Sequence, residues 1–186
     1  MVMLTETPTR TAISLEAVLM AREHRAARQA DWLRLYRQPL ISLTLITPGG
    51  VKDNQRYRNS MGVALQMCDQ LLRKHHWKVL NRNVLWLPTG PEALWCVAHP
   101  ATEIKAHCAE LEHTHPLGRL WDLDVICPVN GHIGRLSLGR NIRRCLVCDQ
   151  PAHACSRSRR HPVEQVVACV EKIINDWFSR DQTTRS

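Results

Sequence analysis

The sequence predicts an α+β protein: a mixed sheet flanked by helices, with a cysteine-rich loop and a C-terminal helix. Three observations carry this expectation. Strand-period and helix-period segments follow one another, clusters of Pro and Gly punctuate them, and 44% of the 186 residues are hydrophobic, enough for a core. The length suits a single domain spanning 1–186. Within it, 1–12 reads as a Thr-rich flexible end, 139–161 as a Cys/His-rich segment and 162–178 as the last helix.

From Ser14 to about Arg37, Leu15, Val18, Leu19, Ala26, Leu33 and Tyr36 form a helical stripe, with Ser14 placed to cap it. Pro39 ends the pattern. Leu40–Thr47 then alternates apolar and hydroxyl side chains as a strand does, up to the Pro48-Gly49-Gly50 break. The spacing of Met61, Ala64, Leu65, Cys68, Leu71 and Leu72 predicts a second helix over Asn54–His75, with Asp53 as its N-cap. Trp77–Leu87 and Glu92–Ala98 flank Pro88-Thr89-Gly90-Pro91 and predict a hairpin. A third helix is expected from Pro100, a favourable first position, to Glu112. Leu120–Cys127 reads as a strand, with a short strand near Ile133–Leu136 pairing back across Asn130-Gly131. The last helix starts at Pro162 and buries Val163, Val166, Val167, Val170, Ile174 and Trp177.

Lys and Arg number 25 against 17 Asp and Glu, a formal charge of +8. That excess points to an anionic partner: nucleic acid, a polyphosphate ligand or an acidic protein. No apolar run approaches the ~20 residues of a membrane span, and the N-terminus lacks the features of a signal peptide. A cytoplasmic protein with no membrane partner is therefore expected. Eight cysteines would suit a disulfide scaffold only in a short secreted chain. Here Cys68, Cys96, Cys108, Cys127 and Cys169 fall in apolar or periodic runs and are expected to act as small hydrophobes.

The chemistry-bearing stretch is HTHPLGRLWDLDVI, residues 113–126. Asp122 and Asp124 are two apart in a strand, so both point to one face, about 7 Å apart, while Leu123 and Val125 face the core. Two such carboxylates repel each other unless a cation or base lies between them. Mg²⁺ suits this donor set, with waters and substrate phosphates completing its shell. Gly118 and Arg119 stand in the turn before the strand: a glycine lets backbone N–H groups approach a phosphate, and a guanidinium fork can hold it. Helix, glycine turn and Asp-x-Asp strand, in that order, is the layout of the nucleotidyltransferase fold. Trp121 beside that strand is a candidate for lining a base pocket.

Longer motifs carry a likeness. AREHRAARQ at 21–29, PLISLTLITPGGVKD at 39–53, ELEHTHPLGR at 110–119, HPLGRLWDLDVICP at 115–128 and RRCLVCDQPAHAC at 143–155, with His161 beyond, resemble the apo-citrate lyase phosphoribosyl-dephospho-CoA transferase family. The likeness covers nearly the whole chain, leaving out 1–12 and 179–186. It implies transfer of a prosthetic group from 2'-(5''-triphosphoribosyl)-3'-dephospho-CoA to a serine of the citrate lyase acyl carrier protein in its apo form, with release of pyrophosphate. It also implies one or two Mg²⁺ ions, with Asp122 and Asp124 as ligands. A third carboxylate on a neighbouring strand, as larger nucleotidyltransferases have, is not identifiable; Glu110 and Glu112 are the candidates.

Basic residues must hold such a donor. Arg22, Arg25 and Gln29, spaced by three and four, share one helical face. Lys52 after the glycine turn is a second candidate, and Arg143 with Arg144 a third. His115 is placed as a candidate base toward the serine hydroxyl, or as a helix cap.

Cys145-x₂-Cys148-x₆-Cys155-x₅-His161 offers three thiolates and an imidazole, a donor set for structural Zn²⁺, with His153 as the rival fourth ligand. Two other functions stay open. One is a nucleotidyltransferase using an ordinary nucleoside triphosphate on a protein or small molecule. The other is a zinc-containing nucleic-acid-binding module, which leaves Asp122 and Asp124 without a purpose because carboxylates repel a phosphate backbone. Nucleic acid is accordingly not the expected partner.

Overall fold

The computed structural model describes residues 12–139 and 141–184; the flexible end expected over 1–12 lies, apart from Ala12, outside the described residues. Helix α1 (Leu15–Tyr36) leads into strand β1 (Leu40–Leu45), then α2 (Gln55–Lys74) and the hairpin β2 (Lys78–Leu87) and β3 (Gly90–Ala98). Helix α3 (Ala101–Thr114) is followed by a 3₁₀ turn at Gly118–Leu120 that feeds β4 (Trp121–Cys127) and the short β5 (Gly131–His132). A second 3₁₀ turn (Leu136–Leu138), α4 (Ala152–Ser158) and α5 (Val163–Thr184) complete the order.

The α+β expectation holds, with one correction. The sheet, in the order β2-β3-β1-β4-β5, is antiparallel at every junction rather than mixed. Both strands that adjoin β1 follow it in the chain, β3 through the hairpin with β2 and β4 after α3.

Strand periodicity divides the sheet into two unlike faces. Ile41, Leu43, Trp95, Val97, Leu123 and Val125 face α2, α3 and α5, and meet Met61, Cys68, Ile104, Cys108, Val170 and Ile174 in the main core. On the other face, Leu40, Leu94, Cys96 and Ile126 pack under Trp32, Leu33 and Tyr36 of α1. Farther along that same face the side chains turn polar: Ser42 and Thr44 of β1 lie between Glu92 of β3 and Asp124 and Asp122 of β4.

Several local expectations are corrected. Asn54, not Asp53, caps α2: its side chain accepts from Tyr57 N–H at 2.9 Å, while Asp53 pairs with Arg58. The hairpin turn is only Pro88-Thr89, because Gly90, at φ 113°, already pairs with Leu87 and Pro91 with Trp86. Strand β5 forms at Gly131–His132, before the expected Ile133–Leu136, and residues 136–138 curl into a 3₁₀ turn. The stripe expected on α1 is not buried at its start: Leu15 is 75% and Leu19 47% exposed, since α1 there overlies the polar half of the sheet. Within the Cys/His-rich segment lies α4, which hydropathy alone does not announce.

Candidate active site

The outer edge of β4 is closed by side chains instead of by a full strand. Glu112 of α3 accepts from Leu123 N–H at 2.7 Å, and Lys105, also buried, donates to Leu123 C=O at 2.6 Å. Arg143 donates to Trp121 C=O at 2.5 Å, and Ile133 N–H to Val125 C=O at 2.9 Å. Unpaired edge groups are thereby satisfied without recruiting another chain. The edge fixes the strand between its two acidic residues, and the register Thr44↔Asp122 and Ser42↔Asp124 sets both on the α1 face.

Asp122 is half exposed, and Asp124 is partly buried. Burial, and then the charge of Asp122, push the Asp124 carboxyl above its usual value, while Lys105, His132 and Arg143 partly offset the shift. The Arg143 guanidinium lies 3.6 Å from Asp122 Oδ1 and also pairs with Glu112. A hard divalent cation at the pair would relieve the repulsion that raises Asp124, so the donor set fits Mg²⁺.

Beside the pair lies a cleft of about 240 Å³ between α1, the end of β1 and the β2–β3 turn. Arg22, Arg25, Lys52 and Asp122 border it. The three residues chosen on α1 part company here. Arg25, with Arg28, holds Glu92, and Gln29 donates to Ser42 Oγ at 2.9 Å, so both clamp α1 to the sheet. Arg22 has no carboxylate partner among the described residues. Lys52 donates to Thr47 C=O at 2.5 Å, and burial followed by the Arg22 charge lowers its pKa. Two cations bordering one cleft are a ready anion site.

Glu92 is the carboxylate that sequence reasoning missed. Cross-strand register aligns it with Thr44 and Asp122 on one face, a relation invisible without strand order. It is 4% exposed and bound by two arginines. Glu112 is no free metal ligand either: its oxygens are taken by Leu123 N–H, Arg135 and Arg143. Glu110, on α3, does not share the β4 face that carries the aspartates.

Gly118 and Arg119 serve the packing around β4, and His115 is the C-cap of α3, one of the two places expected for it. Gly118 is needed for packing: a Cβ there would stand 2.8 Å from the Glu112 carbonyl carbon, so the glycine lets the turn cross the end of α3. Arg119 donates to the carbonyls of Arg144 and Cys145 at 3.1 and 3.0 Å, tying the cysteine loop to the base of β4. His115 is not brought to the aspartates. Its ring stacks on Trp121, 4.4 Å between centroids, and lies 4.7 Å from Trp177, on the opposite sheet face. Its Nδ1 accepts from Leu117 N–H at 3.0 Å, and burial lowers its pKa, as befits a neutral, structural imidazole. Trp121 is fully buried in the main core and lines no pocket beside the aspartates.

Cys145, Cys148, Cys155 and His161 converge, with ligand atoms all within 4.8 Å of one another, and could hold a metal. Cys148 Sγ lies 3.6 Å from Cys155 Sγ and 3.3 Å from His161 Nε2. A tetrahedron with Zn–S bonds of about 2.3 Å has edges near 3.8 Å, whereas a disulfide would need about 2.05 Å. Burial raises the Cys145 thiol, but N–H groups of Val147 and Cys148 and the neighbouring thiols outweigh it and hold Cys145 below its usual value. His153 is not among the converging donors. Cys68, Cys96 and Cys108 are buried thiols, and burial pushes Cys96 up to about 11 and Cys108 to about 12.

The fold and site define a class: an α+β protein with an antiparallel sheet that displays paired aspartates beside a cationic cleft, braced by a Cys₃His cluster. The chain belongs to the apo-citrate lyase phosphoribosyl-dephospho-CoA transferase family, whose model matches residues 13–177. Proteins of that name from Escherichia coli O6:K15:H31 (strain 536) and Shigella boydii serotype 18 are each 35% identical over 174 residues, covering 94% of this chain and 95% of theirs. One from Escherichia coli O1:K1 is 36% identical over 165 residues, 89% of this chain and 90% of its own.

Proposed function

We propose that this chain transfers the phosphoribosyl-dephospho-CoA group from 2'-(5''-triphosphoribosyl)-3'-dephospho-CoA to a serine of the citrate lyase acyl carrier protein. The observation that carries the proposal is the Asp122–Asp124 pair on one face of β4, with Asp122 bordering a cleft that Arg22 and Lys52 also line. Family membership supports the choice of donor and acceptor. It also favours this donor over an ordinary nucleoside triphosphate. A soluble carrier as acceptor suits a cytoplasmic enzyme, and no helix of the described residues is long and apolar enough to cross a membrane.

In this nucleotidyltransferase-type reaction the serine Oγ attacks the α-phosphorus, a new O–P bond forms, and the bond to the leaving pyrophosphate breaks as the serine proton is lost. Little covalent work falls to the protein; positioning and charge stabilisation dominate. Asp122 and Asp124 would hold Mg²⁺, which when bound supplies positive charge to the phosphoryl oxygens. Arg22 and Lys52 would bind the β- and γ-phosphates and stabilise the pyrophosphate as it leaves. Arg143 orients Asp122, while Arg25, Arg28 and Gln29 keep α1 over the cleft. The Cys₃His cluster would hold structural Zn²⁺, closing a segment with little core of its own.

The test is to mix the protein with apo-carrier, donor and Mg²⁺ and weigh the carrier by mass spectrometry. A mass gain equal to the donor less pyrophosphate is expected; CTP or ATP in place of the donor should give none. A carrier left unchanged by the donor, or modified equally well from CTP, overturns the proposal.

A further inference from the structure

Next to the cleft beside the aspartates lies a larger cavity, of about 980 Å³. It lies between the end of α3, the chain leaving β1, the cysteine segment and the first turn of α5. Residues leaving β1 separate the two spaces: Thr47 lines the small cleft, Ile46 and Pro48 the large cavity. The walls meet at the ion pair of Arg143, which lines the large cavity, with Asp122, which lines the small one.

Five guanidinium groups border the large cavity: Arg119, Arg135, Arg143, Arg144 and Arg159. Against them stand Glu112, already engaged by Arg135 and Arg143, the Asp122 and Asp149 carboxylates that pair with Arg143 and Arg144, and the single net negative charge that three thiolates would leave on bound Zn²⁺. A positive excess remains, and it falls on Arg159. Arg159 has no carboxylate partner among the described residues, and it holds an αL backbone at φ 47° where glycine or asparagine would be easier. Ile46, Leu146, Val163 and Val166 give the cavity an apolar part. Apolar side chains and guanidiniums lining one cavity are the chemistry of a nucleoside diphosphate site: the apolar side chains take the base, the arginines take the phosphates.

We infer that this cavity binds the adenosine 5'-diphosphate end of the donor, the part that stays attached to the transferred group. The inference rests on the proposed function, and it explains why the protein has two cationic spaces rather than one. The donor carries anionic charge at two points, a triphosphate and a 5'-diphosphate, with riboses between them. One space takes each, and the reacting phosphorus sits where they meet, at Asp122. The cysteine cluster thereby becomes part of substrate recognition, since Cys145, Cys155 and His161 form one wall of the cavity.

The two spaces can be tested apart, because 3'-dephospho-CoA carries only the diphosphate end and pyrophosphate only the other. Arg144 and Arg159 are both exposed, and Arg159→Asn keeps a residue that tolerates the αL backbone, so the double variant Arg144→Gln/Arg159→Asn should fold. Calorimetric titration of the zinc-loaded protein with 3'-dephospho-CoA is expected to show affinity weakened about tenfold in that variant, with Mg-pyrophosphate binding changed less than about twofold. Arg22→Gln should show the reverse pattern. Unchanged 3'-dephospho-CoA affinity in the double variant, or equal weakening of both probes in every variant, overturns the inference. So does a raised KM for the carrier with unchanged 3'-dephospho-CoA binding, which would give the cavity to the carrier protein. Because binding is read without turnover, a chain that binds 3'-dephospho-CoA through these arginines yet modifies no carrier would defeat the proposed function and leave the cavity assignment standing.

Discussion

Replacing Asp124 by Asn should stabilise the protein in the absence of magnesium while abolishing transfer. Asn keeps the shape of the side chain but removes one of two like charges. At about 7 Å their repulsion is 332/(ε·r), or about 2.4 kcal/mol at an effective dielectric of 20 and about 0.6 kcal/mol at 80. Asp122 is 48% exposed and has Arg143 at 3.6 Å, which lowers the figure toward the aqueous limit. A gain of about 1 kcal/mol is expected, a rise in melting temperature of about 2–4 °C for a chain of this length. The sign agrees with the raised carboxyl of Asp124. A group whose pKa rises on folding favours the folded state below its unfolded value of 3.8, and that contribution is lost as pH climbs through the folded value. At neutral pH the ionised carboxylate therefore burdens the fold until a cation binds. Magnesium competes with that proton, so its apparent affinity should fall as pH drops toward the raised value. The assay is a thermal melt of zinc-loaded protein dialysed free of magnesium, repeated with Mg²⁺ at ten times its dissociation constant. The wild type should gain about 1.4 kcal/mol from the metal and the variant nothing. A variant destabilised by more than about 1 kcal/mol at neutral pH without magnesium, or one that magnesium stabilises as much as the wild type, would refute the reasoning.

Three further outcomes are expected. Glu112→Gln should cost about 3 kcal/mol in a urea melt, because it leaves Arg135 and Arg143 without their buried carboxylate and weakens the hold on Leu123 N–H; an unmoved midpoint would show that the β4 edge does not depend on it. Gly118→Ala should cost about 2 kcal/mol, since its Cβ meets the Glu112 carbonyl, and a stable variant would show that the turn has room to move. Metal analysis of protein never exposed to chelators should find close to one zinc per chain, lost in Cys148→Ser together with protease resistance over 139–161; zinc-free wild type would exclude the cluster as a metal site.

Periodicity made most of the fold legible. The strand alternation at Leu40–Thr47 and the helical spacing from Met61 to Leu72 report burial on one face, and burial is what position along a strand or helix encodes. The paired aspartates were legible for the same reason: a two-residue spacing in a strand leaves no doubt about their shared face. Sheet order was not legible, and with it went Glu92, which comes into line with Asp122 only because β1 lies between β3 and β4. Gly118, Arg119 and His115 sit beside the aspartates in sequence without being brought to them. A strand sends neighbours to opposite faces, and His115 follows Trp121 into the core rather than Asp122 into the cleft. Nor does α1 bury the stripe that its spacing suggests, because the sheet beneath its first turns is polar.

Manganese binding followed by electron paramagnetic resonance reads the aspartate pair itself, with Mn²⁺ standing in for Mg²⁺. Zinc-loaded wild type should take up Mn²⁺, more tightly with donor present, and both Asp122→Asn and Asp124→Asn should leave the ion free while keeping their zinc. Mn²⁺ held equally by the wild type and both variants would mean that these carboxylates are not the metal site.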